Sequence, residues 1–154
     1  MSISIGPALH PALLISELKT RRRDAVLGEL SRRAGSAHVA QEPDLLQALL
    51  VLRERLACSS VGRGVAVPNA RSLLVNEPAL LVGRSRQGID WGAEDGESVR
   101  LVLLMLSPPG TPAAAHLASV ARTAAASRPA RVRQRLLDSE HPEAVAALLR
   151  EVLS

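Results

Sequence analysis

Few side chains in this sequence can do covalent or metal chemistry, and their spacing excludes most of it. Cys58 is the only cysteine, so neither an intramolecular disulfide nor a cysteine zinc site can be built, and a reducing compartment is expected. His10, His38 and His141 fall by expected termini or loops without metal-ligand spacing. No Gly-Lys-Ser/Thr follows Gly62 and Gly64, which removes the phosphate loop of nucleotide-binding proteins. What remains is Arg53-Glu54, Ser59-Ser60 ahead of Gly62-x-Gly64, Asn69 after Pro68, and His116. Each has a plain structural explanation. Arg53 near a helix C-terminus suits the helix dipole, and serines before a glycine form turns. The two glycines serve backbone geometry, and a histidine on an Ala-rich helix is ordinarily a satisfied core group. Trp91 reads as packing and Cys58 as a small buried hydrophobe.

The basic residues add little. The formal charge is 19 minus 15, or +4, carried by eighteen Arg and one Lys, Lys19. An excess of Arg, Ala, Gly and Pro is also what a GC-rich coding sequence produces. Arg21-Arg22-Arg23 and the series Arg128, Arg131, Arg133, Arg135 read as solvated helix faces, because spacings of two and three do not hold one face. One Trp and no Phe or Tyr exclude base-stacking platforms, and no nucleic-acid partner is expected.

The elements that must position these residues follow from the apolar pattern. At 154 residues and 47% hydrophobic, the chain fits one domain spanning 1–154, with 1–11 a flexible N-terminal segment. Thr20 is placed to cap a helix over 21–34 that stops at Gly35, with Val26, Leu27 and Leu30 as its buried stripe. Pro43 opens a helix to Ala57 so rich in leucine that it should be largely buried. Glycines then feed a strand, Val65 to Val67, closed by Pro68. Residues 79–84 and 99–106 are further strands, the second apolar throughout and therefore central. Gly88, Gly92 and Asp95-Gly96 mark turns between them, and Thr111-Pro112, Pro129 and Pro142 start three helices. Strands interleaved with helices indicate an α/β layered fold, a mixed sheet with helices on both faces. In such sheets a site lies beyond strand ends, so the loop after Val67 is its expected place. The apolar stretch at the N-terminus precedes its arginines, the wrong order for a secretory signal. The longest uncharged run, 101–121, is broken by Pro108, Pro109, Gly110 and Pro112. A soluble, cytoplasmic protein, not integral to a membrane, is expected.

Read whole, Arg53 to Arg71 (RERLACSSVGRGVAVPNAR) resembles the phosphorylation segment of enzyme IIA domains of the sugar phosphotransferase system, of the fructose, mannitol and nitrogen-regulatory type. That pattern runs Arg-Glu, a Ser/Thr turn, Gly-x-Gly, an apolar strand, Pro-His and a small residue. Here Asn69 stands where the family has its histidine. Gly88-Ile89-Asp90-Trp91, Asp95-Gly96, the strand ending at Pro108, His116-Leu117 and the Pro142 helix continue the match over about Ala12 to Leu153.

The resemblance implies the mannitol-type enzyme IIA fold and phosphoryl relay from a phosphocarrier protein; no cofactor or metal is expected. It casts Arg53 as a phosphate clamp, Ser59 as a phosphate contact and His116 as the second site histidine, with Asn69 a degenerate acceptor. An amide cannot accept a phosphoryl group there, because its nitrogen lone pair is delocalised into the carbonyl. The expected role is thus a phosphorylation-blind regulator acting through protein contacts, with a phosphocarrier, transporter subunit or sensor as partner and with the oligomeric state open. Three alternatives stay open beside it: an active carrier using another residue such as His116, a small-anion-binding sensor, and a decayed paralogue without a partner.

Overall fold

The computed structural model describes residues 11–153; His10 and nearly all of the N-terminal segment expected to be flexible lie outside them. A turn of 3-10 helix, Pro11–Leu13, leads into β1 (Leu14–Ile15). Two helices follow, α1 (Arg23–Ser36) and α2 (Pro43–Leu56). The site segment supplies β2 (Ser60–Gly62), β3 (Val65–Ala66) and β4 (Asn69–Arg71). A long antiparallel pair, β5 (Ala79–Ile89) and β6 (Val99–Ser107), forms the middle of the sheet. The helices α3 (Ala113–Ala126), α4 (Ala130–Asp138) and α5 (Pro142–Leu153) close the chain.

The sheet order is β1-β5-β6-β3-β2, with β4 also on β6. It is mixed: β1 runs parallel to β5, and β3 and β4 run parallel to β6. Alternation along β6 divides the core in two. Val102, Leu104 and Leu106 face α1 and α2, with Trp91, Leu27 and Leu30 in the same cluster. Leu101, Leu103 and Met105 face α4 and α5, with Val132, Leu136, Val145 and Leu149. The expected mixed sheet between helical layers is therefore present, with β6 buried along nearly its whole length.

Several local expectations are corrected. The first helix starts at Arg23, not after a Thr20 cap. Thr20 Oγ1 instead accepts from the Arg22 N–H at 3.2 Å, and Arg22 bridges Asp90 in extended conformation, a local turn that competes with helix. Gly35 does not stop that helix but lies inside it. A Cβ there would sit 2.7 Å from Pro43 Cγ, so glycine is what lets α1 and the start of α2 touch. His38, at φ 61°, takes the left-handed position beyond the helix end.

The second helix is not largely buried. Its inward stripe is Leu46, Leu50 and Glu54, four residues apart, while Leu45, Leu52 and Leu56 point outward, Leu56 at 80% exposure. One stripe is all that a helix lying on a layer can bury. The strand expected over 79–84 runs on to Ile89 through a register irregularity. The segment after Val67 is no loop: Asn69, Ala70 and Arg71 pair with Met105, Leu106 and Ser107. Pro68, which has no N–H, still accepts from the Met105 N–H at 2.9 Å, so β3 and β4 form one interrupted strand along β6.

Candidate functional site

That interrupted strand delivers Asn69 to the sheet's end, opposite Met105 and two pairs before Ser107. Across it, α3 carries His116, whose side chain is buried. The two residues meet: His116 Nε2 lies 3.0 Å from Asn69 Oδ1, and His116 Nδ1 lies 2.8 Å from Ser107 Oγ. The Asn69 Nδ2 group donates to the Val67 carbonyl at 3.3 Å. This fixes the amide's oxygen toward the ring, so His116 carries its proton on Nε2 and accepts from the Ser107 hydroxyl on Nδ1.

Three effects hold His116 below the ordinary imidazole range: burial first, then the positive charge of Arg53, then that of Arg71. A neutral ring matches the bonding. Because the folded protein favours the neutral ring more than the unfolded chain does, this contribution to stability is whole above the ordinary histidine pKa of about 6.5 and is lost as pH falls below it. The thermal midpoint should therefore drop more steeply between pH 7 and pH 5, on the order of one protonation, than in His116→Gln. Parallel pH profiles for the two proteins would show that His116 is not held neutral.

Asn69 opens onto a depression of about 390 Å³ whose lining includes Arg53, Glu54, Leu56, Ser59 and Val61. Arg53 is exposed there, and its side chain makes no hydrogen bond or ion pair among the described residues. Arg71 is tied back, its Nε donating to the Thr111 carbonyl at 2.7 Å and its Nη2 to the Pro109 carbonyl at 3.2 Å. Ser59 is committed as well: its hydroxyl donates to Glu54 Oε1 and its N–H to Glu54 Oε2 at 3.1 Å. With that proton given to Glu54, Ser59 has none to offer a phosphate unless the bond breaks. His116 stands behind Asn69 and does not line the depression.

Two participants have no role in the sequence reading: Glu54, which it names only within the Arg-Glu pair, and Ser107, which it does not single out. Glu54 is buried and also accepts from Trp91 Nε1 at 3.3 Å. Its signal is an acid at the third position of the stripe Leu46, Leu50, Glu54. That of Ser107 is a hydroxyl ending an apolar strand. Cys58, expected to be buried, is exposed, because the chain leaves α2 at Ala57 and runs along the surface before β2. Among the described residues no cluster of His, Cys, Asp and Glu could hold a metal ion, and no helix is long and apolar enough to cross a membrane.

The profile of the phosphoenolpyruvate-dependent sugar phosphotransferase system, EIIA 2, matches residues 9–152. The chain belongs to this EIIA type-2 family. It is 31% identical over 145 residues to a nitrogen regulatory protein of Bradyrhizobium diazoefficiens, covering 94% of both chains. It is 23% identical over 134 residues to the fructose-specific EIIABC component of Bacillus subtilis, of whose length it spans only 21%. Among solved structures, the nitrogen regulatory protein IIA-Ntr of Neisseria meningitidis superposes with a TM-score of 0.81 at 22% identity, over 91% of this chain and 94% of that one. The mannitol IIA enzyme of Escherichia coli, in its complex with phosphorylated mannitol IIB, gives 0.77 at 19%, over 94% and 98%. The EIIA fold is thus shared along almost the whole chain.

Proposed function

We propose that this EIIA domain is a cytoplasmic, phosphorylation-blind regulator in which Asn69 occupies the family's acceptor position. What supports the reading most is the bonding at residue 69: the group facing the depression is an amide whose oxygen and nitrogen are both already paired. No nitrogen with a free lone pair is offered to an incoming phosphoryl group. His116 is a poor substitute acceptor, since it is buried and both ring nitrogens are engaged. Arg53, unpartnered at the mouth, keeps the cationic half of an anion cradle.

Regulation by added phosphate depends on a charge of about −1.5 to −2 changing which partners a surface can touch. A neutral amide holds that surface near its uncharged form at every relevant pH. The exposed Leu56 and Val61 at the rim suit a protein partner, as the mannitol IIA enzyme has one in its complex with IIB. The test is a pull-down from cell extract comparing the wild type with Asn69→Asp, which adds a charge at the same place. The reading expects a partner held by the wild type and released by the aspartate variant. Equal retention by both, or retention by neither, would refute it.

A further inference from the structure

Arg133 of α4, Arg128 just before that helix and the turn between β2 and β3 meet in a groove separate from the Asn69 depression. Gly62, Arg63 and Gly64 take three successive left-handed conformations, at φ 87°, 57° and 78°. Only glycine does so without steric cost, so an arginine is held where a third glycine would fit better. Its Nη1 donates to the Arg128 carbonyl at 3.3 Å. Arg133, in the first turn of α4, donates to the Ser127 carbonyl at 3.1 Å and to that same Arg128 carbonyl. Two guanidinium groups thus share one carbonyl oxygen. Neither is within ion-pair distance of a carboxylate; the ion pairs among the described residues are Arg23 with Asp24 and Arg86 with Glu17.

The space in front of them has a defined shape. One recess of about 240 Å³ is lined by Arg63, Arg128, Arg133 and Ser127. It adjoins a second of about 170 Å³ that shares Arg63 and Arg133 and adds Arg100, with Leu101 and Leu137 as apolar walls. Glu97 is the one acid among the residues lining either. Adjacent cations without a counter-ion repel one another, and an anion between them removes that repulsion. Guanidinium forks match phosphate oxygens in particular.

We propose that this groove binds an oligophosphate anion through Arg63, Arg128 and Arg133. Two recesses joined at shared arginines suit a ligand with more than one phosphate better than a single orthophosphate. A nucleic-acid backbone fits less well, since Arg131 and Arg135 line neither recess and no continuous basic stripe forms.

Calorimetric titration of the full chain with sodium pyrophosphate, ADP, orthophosphate and a short DNA duplex tests this. Pyrophosphate and ADP should bind one to one and weaken with added salt. ADP binding more tightly than pyrophosphate would mark a nucleotide, with the apolar walls used; equal binding would mark the phosphates alone. Arg63→Gly suits the backbone, so it should leave the thermal midpoint unchanged or raised while weakening both ligands about tenfold or more. Arg53→Ala, at the other site, should bind as the wild type does. Four results would overturn the proposal: no binding of either oligophosphate, binding indifferent to Arg63→Gly, binding lost in Arg53→Ala, or binding of the duplex alone.

Discussion

Glu54→Ala is expected to destabilise the protein by about 2–4 kcal/mol, lowering its thermal midpoint by about 5–15 °C. The carboxylate is buried between α2 and the start of β2. It accepts the Ser59 hydroxyl, the Ser59 N–H and the Trp91 indole N–H. Truncation leaves these donors without their acceptor, and Trp91, at 1% exposure, cannot turn to water. The expense of stranding a buried donor exceeds the net worth of the bond it made. Glu54→Gln, which keeps one acceptor oxygen for Trp91, should lose less than alanine. The functional consequence lies in the same bonds. Glu54 ties the Ser59 turn to the helix turn that carries Arg53, so the mouth of the Asn69 depression should loosen before the sheet does. Chemical denaturation of the three proteins is the check, and an alanine variant within about 0.5 kcal/mol of the wild type would mean that Glu54 organises nothing.

The second large effect is a gain. On the proposed reading, Asn69→His should give a chain that accepts phosphate where the wild type does not, because it puts an imidazole where the proposal has an amide. In the transfer, the P–N bond of the phosphorylated carrier breaks as a new P–N bond forms at an imidazole nitrogen of residue 69. The same proposal gives the surroundings of that step to Arg53 and His116. Arg53 is free at the depression's mouth to meet the phosphoryl oxygens, and His116, fixed by Ser107, can donate from Nε2 to whatever stands at position 69. Positioning and charge stabilisation supply most of what phosphoryl transfer needs. An Asn69→His, Arg53→Ala double variant should therefore accept phosphate more slowly than Asn69→His, by about tenfold or more. Equal rates would remove Arg53 from the phosphate-holding role.

What was legible in the sequence, and what was not, divides along physical lines. Proline fixes a helix start through its own ring, so the openings at Pro43, Pro129 and Pro142 were readable to within a residue. An uninterrupted apolar run has only one stable place, and β6 took the centre of the sheet. Strands of two or three residues, β1, β2 and β4, carry no period of their own and exist because a neighbour offers a partner. Gly35 was misread because a glycine that ends a helix and one that admits a neighbouring helix look alike in sequence; only Pro43 distinguishes them. Leucine content said that α2 is apolar but not how much of it the layer could cover. At the site, Arg53, Asn69 and His116 were visible as residue types, whereas the Ser59 commitment and the roles of Glu54 and Ser107 depend on distances across 37 residues of chain for Trp91 and 9 for His116.

The central claim is that Asn69 leaves this domain without a phosphoryl acceptor, and the intact mass of the wild-type chain tests it most directly. The chain and Asn69→His are incubated with phosphorylated phosphocarrier protein and measured at alkaline pH, where a phosphoramidate survives. The wild-type mass should be unchanged while Asn69→His gains one phosphoryl group. A phosphoryl group on the wild type, at His116 or anywhere else, would contradict the account.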